Sequence, residues 1–231
     1  MSNYKEKVHM DPMISSVNSN EYFNSILHLL GTILSFAGTA FLIVLAAQYG
    51  KWVHLVSFSI YGLTLFLSFL ASTILHFNLL FNRYYRLLGI FDHNAIFLLI
   101  AGTYTPLALA VFGGGMGWGL FTLIWCLAAF NIAIKSIFFA KMGKKLSTLC
   151  FVLMGWPVIF YAWPISKMLG ADALILMIVG GLVYTVGAIS FTAHKPDPFP
   201  PYFGNHEIWH LCVFIGNAIF FYFMYSHILN F

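Results

Sequence analysis

Ile26–Ala47 reads ILHLLGTILSFAGTAFLIVLAA and contains no Asp, Glu, Lys or Arg. At 1.5 Å of rise per residue, a helix of about 20 such residues crosses the hydrocarbon core of a bilayer. The whole chain has the same character: 61% of its 231 residues are hydrophobic and 8% charged, against about a quarter charged in a soluble globular domain. An ordinary soluble enzyme is thereby excluded, and the length permits one compact bundle rather than two domains. The residues through Asn20 are polar and include Lys5, Lys7 and Asp11. They do not resemble a signal peptide, so the first apolar run is expected to act as its own insertion signal.

The same length criterion applied along the chain predicts seven spans: Ile26–Ala47, Val53–His76, Phe91–Phe112, Trp118–Phe139, Leu146–Ile165, Ala171–Phe191 and His206–Leu229. The expected fold is an all-α integral membrane protein, a seven-transmembrane-helix bundle over residues 26–231 behind a polar cytoplasmic segment over residues 1–25. The Gly-rich link Gly113–Gly117 is a tight turn rather than a phosphate cradle, because no Lys or Ser/Thr follows in P-loop spacing. Lys5, Lys7, Arg83, Arg86, Lys141, Lys144, Lys145 and Lys195 fall on one side of the predicted bundle, and only Lys51 and Lys167 on the other. The positive-inside rule then predicts a cytoplasmic amino terminus and an outside carboxyl terminus. This orientation is opposite to that of G-protein-coupled receptors, and the seventh span has no lysine for a retinal Schiff base. The basic residues are scattered singly, which excludes a nucleic-acid surface despite the net charge of +4. Tyr49, Trp52, Trp118 and Trp163 mark span ends at the membrane interface. Pro106, Pro157 and Pro164 mark possible kinks, with neighbouring helices left to satisfy the freed backbone groups. The three cysteines, Cys126, Cys150 and Cys212, lie in apolar runs without CxxC spacing and are expected to be small buried side chains.

An ionisable group at membrane depth costs on the order of 2.5–3.5 kcal/mol on insertion scales, so each one requires a reason. His76 ends the second span, Asp92 begins the third, and His206, Glu207 and His210 begin the seventh. The predicted topology brings all of these to the cytoplasmic end at one depth, as a metal site requires. His206 and His210 are spaced i, i+4 and project from one helical face, and Ser72 and His76 share that spacing. Three neutral imidazoles leave the fourth tetrahedral position of zinc open, the mark of a catalytic rather than a structural site, and Asp92 is suited to hold the water that fills it.

His206-Glu207-Ile208-Trp209-His210 also fits the His-Glu-x-x-His pattern of zinc metalloproteases, with the Glu as base. Glu207 is, however, the last acidic residue of the chain, and the downstream Gly and third His of the metzincins are missing. The third ligand must come from upstream, where His76 has the right depth.

Three strings, Ser72-Thr-Ile-Leu-His76, Phe91-Asp-His-Asn-Ala-Ile-Phe-Leu-Leu-Ile-Ala-Gly-Thr-Tyr-Thr-Pro106 and Phe203-Gly-Asn-His-Glu-Ile-Trp-His210, together resemble the hemolysin III family. That family belongs with the progestin and adipoQ receptors, which include the adiponectin receptors. The resemblance covers the chain from the first span onward, in order and spacing. It implies zinc ligands at His76, His206 and His210, contact of Asp92 with the metal through water, and a site role for Ser72. It also implies ceramidase-like hydrolysis of a lipid amide, with membrane lipids as environment and substrate, in the cell membrane of a bacterium. The animal receptors have Gln where this chain has Glu207, which weakens the protease reading.

Simpler roles stand beside these. His28, His54 and His227 are expected to be satisfied core histidines, and His9 and His194 solvated ones. His93 neighbours Asp92, but a 100° rotation along the helix points it elsewhere. Asp92 has an alternative as ion-pair partner of Arg83, Arg86 or Lys195, Ser72 as donor to its own i−4 carbonyl, and Glu207 as a charge favouring a helix N-terminus. The leading expectation is a zinc-dependent hydrolase of a lipid amide or ester. Zinc would activate a water nucleophile, with Asp92 as base and then acid and Ser72 donating at the metal or the oxyanion. The rival is a non-enzymatic cytolysin or receptor-like sensor with a structural zinc.

Overall fold

The computed structural model describes residues 20–79, 84–139, 141–200 and 202–231. The topology residues Lys5, Lys7 and Arg83, and His9, lie outside them. Among the described residues, seven helical segments are long and apolar enough to cross a membrane. In chain order the helices are α1 (Glu21–Gln48), α2 (Trp52–Leu79), α3 (Tyr85–Pro106), α4 (Gly114–Ile137), α5 (Lys144–Gly155), α6 (Ala162–Leu169), α7 (Ala171–Ala193) and α8 (Asn205–Phe223). α5 and α6 form one span, Lys144–Leu169. Helix α1 begins ahead of the predicted first span, because the Asn20 side chain accepts the backbone N–H of Phe23 and caps its first turn.

Interruptions within the spans have identifiable causes. α3 ends at Pro106 and continues as a π-helical turn, Leu107–Phe112, closed by the bond from Gly113 N–H to the Ala108 carbonyl. Gly113 and Gly114 then adopt φ of 55° and 47°, a region open to glycine. This confirms the tight turn. Between α5 and α6, Pro157 opens a 3-10 segment, Trp156–Tyr161. The Tyr104 hydroxyl on α3 compensates for the break by donating to the Gly155 carbonyl at 2.6 Å and accepting the Val158 N–H at 2.9 Å. A neighbouring helix thus satisfies the backbone that proline disturbs.

The bundle has an aromatic and aliphatic core that includes Phe58, Phe97, Leu107, Leu120 and Ile124, all fully buried. Large apolar side chains also cover the outside: Phe36, Phe130, Phe160 and Ile137 are each more than 60% exposed. On a water-soluble protein such a surface would aggregate; here it faces lipid. Trp52, Trp118 and Trp163 are likewise exposed at span ends. Because lipid tails are as apolar as the helix surfaces, close packing joins the helices. A Cβ at Gly187 of α7 would lie 2.6 Å from the Cys212 Cβ of α8, so glycine there lets the two backbones approach.

Candidate metal centre

Helix α8 enters the bundle through a carboxylate cap. Glu207, fully buried, accepts the Gly204 N–H at 2.8 Å on one oxygen. Its other oxygen accepts the Asn20 N–H at 2.6 Å and the Asn24 side-chain amide at 3.2 Å. A single acidic group thereby satisfies orphan donors at the starts of α8 and α1 and ties the two helices together. Glu207 is occupied by structure, as its place in the first turn of a helix led us to expect.

One turn of α8 then presents His206 and His210, whose Nε2 atoms stand 2.9 Å apart. His76, in the last turn of α2, lies with its ring centroid 4.6 Å from that of His210 and 5.5 Å from that of His206. Its Nδ1 is 2.6 Å from Glu21 Oε2 on α1, which leaves Nε2 to face the other rings. The three imidazoles anticipated from spacing and depth are therefore neighbours, and all three are buried.

A fourth ring joins them. His28 on α1 was expected to be a satisfied core histidine; instead its Nε2 lies 2.6 Å from His210 Nδ1. Its Nδ1 is buried without a hydrogen-bond partner among the described residues. The correction has a simple origin: α1 packs against both α2 and α8, which carries His28 to the depth of the other three. His28 lies near the same end of its span as the others do of theirs, but that depth alone does not separate a packing histidine from a member of the cluster.

His28, His76 and His210 can each offer a ligand atom within 4.8 Å of the others, so the cluster could hold a metal ion. His210 has two usable edges: Nδ1 meets His28, and Nε2 meets His206. Both edges have space beside them: His28 and His210 border a larger cavity, and His206 and His210 a smaller one. The smaller cavity, of about 40 Å³, is lined by His76, His206, His210, Asp92 and His93, and His28 does not border it. That volume exceeds the roughly 10–15 Å³ needed for one water, so an ion with a water fits on the Nε2 side. Nitrogen donors and an open coordination position suit zinc chemically, although imidazole suits other divalent ions as well.

Asp92 on α3 borders this cavity. Its Oδ1 accepts the Ser72 hydroxyl of α2, and its Oδ2 is 3.8 Å from His93 Nδ1. Among the described residues it forms no ion pair with Arg86 or Lys195. Ser72 thus donates to Asp92, not to the carbonyl one turn back, which corrects the simpler expectation for that serine. His93, expected to point away, also borders the cavity, with its Nδ1–H donating to the Gly89 carbonyl at 2.7 Å. The larger cavity, of about 150 Å³, has His28, Ser72, Asp92 and His210 in its wall. Most of its lining is apolar, including Phe69, Leu99, Phe151 and Phe220.

The other histidines are satisfied elsewhere. His54 Nε2 is 3.1 Å from the Ile228 carbonyl, His227 lies between Asp172 and Ser226, and His194 is an exposed residue at the end of α7.

Comparison with known proteins agrees with this architecture. The model of the family described as "Haemolysin-III related" matches residues 16–221. The chain is 41% identical to Hemolysin-3 of Bacillus cereus over 209 residues, covering 90% of this chain and 92% of that protein. It is 40% identical to the Hemolysin-3 homolog of Bacillus subtilis (strain 168) over 202 residues, covering 87% and 91%. A more distant similarity, 26% over 177 residues, covers 73% of this chain and 69% of the human monocyte to macrophage differentiation factor. With its seven membrane-crossing helices and its family model matched over most of its length, this chain belongs to the haemolysin III family of multi-pass membrane proteins.

Proposed function

We propose that this protein is a zinc-dependent hydrolase of an amide or ester bond in a membrane lipid, with His76, His206 and His210 as metal ligands. The observation that carries this reading is the position of Asp92, whose carboxylate borders both the imidazole-lined cavity and the apolar one. A head-group bond lodged in the first would leave its acyl chain in the second, in surroundings that match its chemistry. When bound, zinc would supply a Lewis acid and a lowered pKa for water, to about 7. Asp92 takes a proton from the attacking water on Oδ2 and returns it to the leaving group, while the Ser72 hydroxyl holds Oδ1 and fixes the carboxylate plane. The buried rings and the capped start of α8 keep bulk water from the reacting bond.

A second reading, a cytolysin or receptor-like sensor with a structural metal, draws on the name Hemolysin-3 carried by the Bacillus cereus relative. A water-filled pore requires a polar stripe along several helices, whereas the large cavity here is mostly apolar. The deciding experiment incubates purified protein with a panel of N-acyl and O-acyl lipids, with and without chelator. Fatty-acid release that chelation abolishes and zinc restores supports the hydrolase. Absence of release from every lipid, with one metal bound per chain, favours the second reading. The distribution of basic residues in the sequence supports a cytoplasmic position for this site. A reporter fused after Phe231 and active outside supports that orientation, and one active only in the cytoplasm overturns it.

A further inference from the structure

A histidine ligates a metal through the ring nitrogen that carries no proton, and the partner of the other nitrogen decides which one that is. His76 and His210 have such partners, and both partnerships originate on α1. At His76, the group facing Nδ1 is the Glu21 carboxylate, 2.6 Å away. An ionised carboxylate only accepts hydrogen bonds. The proton of His76 is therefore held on Nδ1, and the Nε2 lone pair is directed into the cluster.

At His210 the geometry leaves two arrangements. Nδ1 is 2.6 Å from His28 Nε2, and Nε2 is 2.9 Å from His206 Nε2. A hydrogen bond between two imidazole nitrogens contains one proton, so His210 either donates to His28 and has a bare Nε2, or accepts from His28 and has its proton on Nε2. Only the first leaves a lone pair on the cavity side. In that arrangement His28 carries its own proton on Nδ1, the buried atom with no partner among the described residues. A histidine kept for packing alone would be expected to satisfy that atom, since a buried unpaired polar group costs about 1–3 kcal/mol. Its unpaired state accords with a ring whose other nitrogen serves His210.

We infer that Glu21 and His28 are positioning residues of the metal centre: from α1 they select Nε2 of His76 and of His210 as the ligating atoms and hold both rings in place. This inference rests on the metal reading proposed above and extends it to α1, which lies outside the proposed ligand set of His76, His206 and His210. α1 is suited to the task because Glu207 ties its first turn to the start of α8, so Glu21, His28 and His210 are anchored to one another. His28 borders the larger cavity and not the small one on the Nε2 side of His210, and its ring stacks parallel to His76 with centroids 5.7 Å apart.

The test measures zinc affinity of the full-length purified protein by competition with a chromogenic chelator. The variants are Glu21→Ala, Glu21→Gln, His28→Leu and His28→Gln, and the metal-free melting temperature is recorded for each. The expected result is a Kd weakened about 10- to 100-fold by Glu21→Ala and by His28→Leu. The Gln variants, which retain an acceptor, should recover part of that loss, with little change in metal-free melting. A Kd within about twofold of the unmodified protein in folded Ala and Leu variants would overturn the inference, as would equal weakening by Ala and Gln with lowered metal-free melting. Cobalt(II) in place of zinc gives a second readout. A visible spectrum unchanged by His28→Leu supports positioning, and loss of a nitrogen ligand from it would make His28 a ligand instead. If the unmodified protein binds no zinc, the metal reading itself fails, an outcome distinct from tight binding that ignores Glu21 and His28.

Discussion

Both ends of the bundle bury histidines, but they use them differently. At one end, His54 pairs with the Ile228 carbonyl, His227 sits between Asp172 and Ser226, and Lys51 donates to the Leu229 carbonyl at 3.0 Å. Each basic group there has oxygen partners close to a helix terminus, and each arrangement secures a helix end. At the other end, His28, His76, His206 and His210 face one another, with nitrogen opposite nitrogen. What distinguishes the two ends is this convergence of ring nitrogens, a cluster that could hold a metal ion.

The comparison breaks first at His210, the ring with contacts on both edges. His210→Ala should abolish stoichiometric zinc and with it hydrolysis, and His76→Ala and His206→Ala should each lower occupancy from about one per chain, the value the tetrahedral model requires. Elemental analysis of purified protein decides this, and full zinc in all three variants would end the proposal. Next in size is Asp92→Asn, which retains the shape of the carboxylate and removes the base. Turnover should fall by roughly 10² to 10⁴ while zinc content stays near normal. Full hydrolysis with a lowered melting temperature would show that Asp92 is only structural.

A smaller effect separates capping from catalysis. Glu207→Gln puts an amide NH₂ against donors that now meet an oxygen, which should cost about 1–3 kcal/mol and appear as a lower melting temperature. Turnover per folded molecule should remain within a few-fold of normal; a collapse comparable to that of Asp92→Asn would restore the metalloprotease reading. The smallest effect is expected at the opposite end. His54→Ala and His227→Ala should leave zinc content unchanged, and any loss there would mean that the two ends are not separate.

Much of this architecture was legible in the primary structure because hydropathy is a property summed over a whole span. The seven spans, the common depth of His76, Asp92, His206 and His210, and the pairing of His206 with His210 all follow from run length and helical period. Glu207 was recognisable as a first-turn charge for the same reason. His28 was not: a single histidine in an apolar helix has the same pattern whether it packs or positions, and only the approach of α1 to α2 and α8 distinguishes the two. Glu21 fell in the segment expected to precede the membrane, because its polarity hides that the Asn20 cap starts the helix one residue before it.

Periodicity and depth thus brought His76, Asp92, His206 and His210 to one end of the bundle from sequence alone. Which ring edges meet, only the tertiary structure decided. These are matters of contacts between helices remote in sequence, at distances of 2.6 Å, whereas a hydropathy pattern specifies a position along the membrane normal and a face of a helix. The rotation of each ring within that face depends on the particular neighbour it meets, and no local pattern contains that neighbour.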